Sequence, residues 1–206
     1  HSSPRWSPDG GRLAYVSTSE GGAAQLFVRW MAAGEAARIT GLPNSPGSIA
    51  WSPDGRRLAY SMLVPDEGAR LGTAPAKPEG AQWAAPLEIT EQVVYRADGA
   101  GVLKPGFSHI FMVPATGGAP RQLTFGAFNH GGQISFTPDG RNLLFSANRS
   151  PDWQRDPLDG ELYRLDLASG DTRALTSRNG PDFGPIVSRD GRSIAYFGFD
   201  DDGDAF

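Results

Sequence analysis

Ile49-Ala-Trp-Ser-Pro-Asp-Gly-Arg-Arg-Leu-Ala-Tyr60 reads as a short apolar strand, a tight turn and a returning strand, and it recurs along the chain. Proline presets φ for a turn, Asp can bond its own backbone, and Gly accepts φ > 0, so Ser-Pro-Asp-Gly reverses the chain. Alternation resumes at once in Leu58-Ala-Tyr60, as a returning strand requires. Three further copies are Pro4-Arg-Trp-Ser-Pro-Asp-Gly-Gly-Arg-Leu-Ala-Tyr15, Ile134-Ser-Phe-Thr-Pro-Asp-Gly-Arg-Asn-Leu-Leu-Phe145 and Ile186-Val-Ser-Arg-Asp-Gly-Arg-Ser-Ile-Ala-Tyr196. Their aspartates are spaced by 45, 85 and 51 residues. Two of these intervals lie near the roughly 40–50 residues of a four-stranded propeller blade. The pairs Asp9–Gly10, Asp54–Gly55, Asp139–Gly140 and Asp190–Gly191 are therefore read as turn residues. Each stands in a separate unit whose turn needs it, so none is read as a ligand.

The first three units continue with two more strands: Gln25–Trp30 and Ala36–Thr40, His109–Val113 and Arg121–Thr124, Glu161–Leu167 and Thr172–Thr176. Tight glycine turns join them, giving a repeated meander of strands a, b, c and d. Helical periodicity is absent at any useful length, so the fold class is all-β, a partial β-propeller. The predicted blades are 4–41, 47–125, 132–177 and a partial 184–206, about three and a half in all. The second is read as carrying an insertion over 64–106. That reading is preferred to a degenerate extra blade, whose strand d would be Glu88-Ile-Thr90, because only one clear c–d pair follows. A blade set ending on a b strand reads as an excerpt from a longer propeller with two apolar flanks, and self-association is expected.

The 206 residues carry 20% charged side chains and a net charge of −4, which excludes disorder and a broad polyanion-binding surface. No run approaches the ~18 apolar residues of a membrane span, so neither nucleic acid nor membrane is an expected partner. The absence of cysteine excludes disulfides and thiolate chemistry. Neither cofactor nor metal is expected; the acidic tail Asp200-Asp-Asp-Gly-Asp204 lacks the later bidentate Glu of a calcium loop.

The blades resemble the propellers of the Tol-system periplasmic protein and of prolyl oligopeptidase family serine peptidases. Longer phrases narrow this to the acylaminoacyl-peptidase branch: Val94-Tyr-Arg-Ala-Asp-Gly-Ala-Gly101, His109-Ile-Phe-Met-Val-Pro114, Gly117-Gly-Ala-Pro-Arg-Gln-Leu-Thr124, Phe145-Ser-Ala-Asn-Arg149, Leu175-Thr-Ser-Arg-Asn-Gly180 and Ile194-Ala-Tyr-Phe-Gly-Phe-Asp200. The resemblance implies an α/β-hydrolase domain of the same parent protein as partner and peptide as substrate. A cytoplasmic location is expected, with the periplasm left open. No G-x-S-x-G elbow occurs here, so no catalytic residue carries over. The expectation is a non-catalytic propeller that gates or binds peptides for a hydrolase domain, the alternative being a Tol-type binding propeller. A carbohydrate-active propeller would need clustered acids or metal-binding histidines, against three scattered histidines.

In an antiparallel meander the a–b and c–d turns share one end of the blade. The longer connections, 18–24, 41–48, 63–108, 125–133, 147–160 and 177–185, share the other. Binding residues concentrate on such loops. Arg96, His130 (read as a loop residue), Arg149, Asp152, Trp153, Arg155 and Arg178 are the candidates for substrate binding or a domain interface. The plainer reading pairs the arginines with Asp152, Asp156 and Asp182. Trp83 also lies outside the repeat. The repeated aromatics Trp6, Trp51, Phe136, Tyr15, Tyr60, Phe145 and Tyr196 are read as core.

Overall fold

A computed structural model describes residues 1–66, 75–84, 92–99 and 101–201. The first sheet is an antiparallel meander of β1 (Ser2–Trp6), β2 (Arg12–Ser17), β3 (Gln25–Trp30) and β4 (Glu35–Arg38). The second opens with β5 (Pro46–Trp51) and β6 (Arg57–Pro65). The chain then passes through a small hairpin, β7 (Arg96–Ala97) and β8 (Gly101–Val102), and returns as β9 (Gly106–Pro114) and β10 (Arg121–Gln122). Strands β5, β6, β9 and β10 lie side by side in one sheet. The third sheet is β11 (His130–Phe136), β12 (Asn142–Ala147), β13 (Glu161–Asp166) and β14 (Thr172–Ala174). A last pair, β15 (Asp182–Val187) and β16 (Ile194–Gly198), begins a fourth. The molecule is all-β, a set of propeller blades that does not close into a ring.

Pairing of β6 with β9 runs from Arg57↔Pro114 to Pro65↔Gly106, so residues 66–105 leave and re-enter between strands b and c of one sheet. Gly106 closes this excursion at φ +134°, where a Cβ would stand 2.3 Å from the Val64 carbonyl oxygen. Glu88-Ile-Thr90 lies outside the described residues.

The four turns share one set of bonds. Ser7, Ser52, Thr137 and Ser188 donate their hydroxyls to Asp9, Asp54, Asp139 and Asp190 at 2.5–2.6 Å. Each aspartate also accepts a backbone N–H two residues on, from Gly11, Arg56, Arg141 and Arg192. Gly10, Gly55, Gly140 and Gly191 all take φ between +65° and +72°.

Strand a begins earlier than the sequence reading has it in the second, third and fourth sheets. Each strand a carries a bulge, between Ser2 and Arg5, Gly47 and Ala50, Gly131 and Ser135, and Phe183 and Ile186. Its left-handed residue is Ser3, Ser48, Gly132 or Gly184. The Ser, Gly and Pro content that reads as loop belongs to bulged strand. Strand d ends earlier than predicted, at Arg38, Gln122 and Ala174, because a side chain takes over the ladder. The amides of Leu26, Ile110 and Leu162 donate to the hydroxyls of Thr40, Thr124 and Thr176 at 2.9–3.0 Å.

Period-2 alternation buries the middle sheet on both faces. Leu58, Tyr60 and Met62 pack with Val16, Leu26 and Val28 of the first sheet. Ala59 and Ile110 face Ile134, Phe136, Leu143 and Phe145 of the third. The Trp51 indole N–H donates to the Arg5 carbonyl at 2.9 Å, and Arg12 lies over its ring at 4.9 Å, stitching the first seam. Two of the aromatics read as core are not: Trp6 is 57% exposed and Tyr196 39%. Trp6 stands on the outer face of the first sheet, whereas Tyr196 lies on the opposite face of the last pair from Phe183 and Phe197, where the Arg178 guanidinium meets its hydroxyl.

Candidate functional site

The antiparallel order sets the b–c links and the inter-sheet links at the end of the sheets opposite the Asp-Gly turns. On that end the 148–156 loop is held by its own bonds. Asn148 donates its side-chain amide to the Asp156 carbonyl (2.6 Å) and accepts from the Ser150 amide. The Asp152 carbonyl accepts from the amides of Arg155 and Asp156. This leaves the side chains of Asp152 and Arg155 exposed. Trp153 turns edge-on to Phe107, with centroids 6.0 Å apart, and Gln154 accepts the Val93 amide at 2.7 Å. Val93, three residues before Arg96, is thereby held against this loop, with Arg96 itself exposed on β7. The same hairpin exposes Val93, Val94, Tyr95 and Val102.

His130 is not a loop residue. It is the first residue of β11, 1% exposed, and its ring lies 5.2 Å from His109 and edge-on to Phe145 at 5.6 Å. Burial, His109 and Arg149 together hold its pKa down at about 4, so the ring is neutral near pH 7. Its Nδ1 has no hydrogen-bond partner among the described residues. Burial lowers His109 as well. His109 starts no strand either; it is the fourth residue of β9, because the Gly106–Ser108 stretch is already paired. The Thr124 hydroxyl meets its Nδ1 at 3.4 Å. Gln25 and Glu161 occupy the equivalent position, each accepting from its own threonine, Thr40 or Thr176. His109 is thus a structural residue of the repeat.

The arginines divide. Arg178 is a local strut: its Nε lies 3.3 Å from Asp182 and 3.7 Å from Asp200, and it reaches the Tyr196 hydroxyl. Arg149 is half-buried and lies over the rings of Phe128 and Tyr163, at 5.6 and 5.3 Å. The loop-end residues brought together are therefore Arg149 with His130, and Trp153 with Phe107. Sequence reasoning missed Phe128 and Tyr163. The available signal for Tyr163 was a repeated cross-strand aromatic pair, Tyr15↔Phe27, Tyr60↔Phe111 and Phe145↔Tyr163.

Between the inner strands lies an open cleft of about 410 Å³, lined by Arg5, Ser48, Ile49, Gly132, Gln133 and Ile134. Among the described residues no three His, Asp or Glu side chains are grouped to hold a metal ion, and no helix is long and apolar enough to cross a membrane.

Blades built this way, with a long b–c excursion on the loop end, define a partial β-propeller. Residues 92–202 match the family described as the dipeptidyl peptidase IV (DPP IV) N-terminal region, and the chain belongs to it. The uncharacterized peptidase YuxL of Bacillus subtilis is 33% identical over 145 residues, 70% of this chain and 21% of that protein. The chain thus spans about a fifth of that relative's length. Pyrococcus horikoshii acylaminoacyl peptidase shares the fold over 96% of this chain and 28% of its own, with a TM-score of 0.65 at 17% identity. A putative TolB from Agrobacterium tumefaciens does so over 94% and 52%, with a TM-score of 0.60 at 24% identity.

Proposed function

We propose that these blades bind or gate peptide substrates for an α/β-hydrolase domain carried elsewhere in the same protein, of acylaminoacyl-peptidase or prolyl-oligopeptidase type. The observation that carries this reading is the segregation of every long connection to one end. There Val93 of the b–c excursion is tied to the 148–156 loop through Gln154, and Trp153 of that loop packs edge-on to Phe107 of β9. Rigid strands presenting variable loops on one side are the arrangement that binding surfaces use. Membership of a peptidase N-terminal region family supports the peptide as ligand.

The parent protein provides the test. A gate acts on substrates that must pass it, so Trp153→Ala should change kcat/KM for an extended fluorogenic peptide by about tenfold or more. Hydrolysis of a small activated ester, which needs no peptide subsite, should stay within about twofold. Equal effects on both substrates would contradict gating. A parent protein with no hydrolase activity would favour the Tol-type reading, a propeller working through a protein partner.

A further inference from the structure

We infer that Arg149 is a carboxylate receptor of the loop face, recognising an acidic group carried by the bound peptide. The inference rests on the peptide-binding reading above and names the chemistry of its ligand. Of the loop-end arginines, Arg178 is already neutralised by Asp182 and Asp200. Arg149 is not: among the described residues no carboxylate lies within ion-pair distance and none of its N–H donors is hydrogen-bonded. Its guanidinium carbon is instead held over two aromatic rings, Phe128 and Tyr163. Tyr163 is fixed in turn by stacking on Phe145 at 5.8 Å, and Phe145 is fully buried.

A half-buried guanidinium held over aromatic rings with no ion-pair partner is preorganised, because a cation–π contact consumes none of its N–H donors. His130 beside it is neutral near pH 7 and brings no competing cation, and of the charged groups acting on Tyr163 the Arg149 guanidinium outweighs each of the carboxylates Glu161 and Asp159. Glu161 is already engaged by the Thr176 hydroxyl. A carboxylate of matching geometry meets two parallel N–H donors there and displaces only solvent. Either a peptide C-terminus or an Asp or Glu side chain offers this group.

Titration calorimetry on the 206-residue chain decides it, using three N-acetylated tetrapeptides. One has a free C-terminal carboxylate, one is its neutral C-terminal amide, and one is the amide with an internal Glu. Charge-assisted bidentate bonding predicts that at least one carboxylate-bearing peptide binds about tenfold or more tighter than the neutral amide. The preferred one identifies the source of the carboxylate. R149Q should abolish the preference, R149K should keep only part of it, and R29Q, an exposed charge on β3, should leave it unchanged. A near-ultraviolet circular dichroism spectrum separates a lost anchor from a lost fold; were R149Q misfolded, the ratio measured for R149K would decide. Equal binding of all three peptides, or a preference that survives R149Q, would overturn the inference while leaving peptide binding intact. Arg149-dependent binding of free acetate at the affinity of the whole acidic peptide would instead uphold the anion site and remove the peptide reading. Absence of all binding would remove both.

Discussion

At the residue scale, the titratable groups that recur use their charge within the fold. Asp54 is held below the ordinary carboxylate range first by the Ser52 hydroxyl and then by the Arg56 amide, and its three counterparts follow the same order of causes. These roles were legible in the sequence, because turn chemistry is local and its residues are contiguous. His130 was not, since its burial comes from β9 and from Phe145, which lie far from it along the chain. Its folded pKa of about 4 lies below the ordinary value of 6.5, so the unfolded chain binds more protons between the two. Its stabilising effect is therefore complete above about pH 6.5 and is lost as the pH falls towards 4. The loss is on the order of 3 kcal/mol at 1.36 kcal/mol per unit. Urea unfolding at pH 7.5 and 4.5 should show it, and H130Q should flatten the difference. A pH dependence unchanged in H130Q would contradict the buried neutral ring.

At the element scale, two devices shape the strands, and neither follows from propensity. Bulged inner strands read as loops because their residues are Ser, Gly and Pro, and only pairing across to strand b reveals them. The threonine clips sit beyond the assigned end of strand d, yet they close its ladder: the amides of Leu26, Ile110 and Leu162 have hydroxyl acceptors instead of carbonyls. The signal was present in the sequence as Ile-Thr or Leu-Thr fifteen residues after Gln25, His109 and Glu161, but periodicity alone gives it no meaning. A valine at Thr40 or Thr124 keeps the shape and removes the acceptor, leaving a buried N–H unmet at a cost of about 1–3 kcal/mol. Serine, which keeps the hydroxyl, should recover most of it. Thermal unfolding of T124V and T124S checks this; equal destabilisation of the two would assign the effect to the lost methyl group instead of the bond.

At the scale of the whole molecule, the middle sheet shows what both neighbours contribute, and the outer sheets show what is missing. Tyr60 and Phe145 are fully buried between sheets, whereas Trp6 at one side and Phe183, Ile186 and Phe197 at the other lie 46–68% exposed. Burying one large apolar side chain contributes about 1.5–3 kcal/mol, so several on two faces drive association. The chain on its own should therefore associate, and I186E together with F197E should shift light scattering towards the monomer. A monodisperse wild-type monomer at high concentration would contradict this account. The blade repeat was legible because it is written four times. The composition of the site was not, because Arg149 meets Phe128 and Tyr163 only through the fold. The central claim is that the loop end, and not the turn end, receives peptide. Hydrogen–deuterium exchange of the chain with and without a saturating peptide tests it most directly. The account predicts slowed exchange in 92–99 and 148–156, with no change in the turns at 7–12, 52–57 and 137–142. Protection of those turns with none on the loops would contradict it.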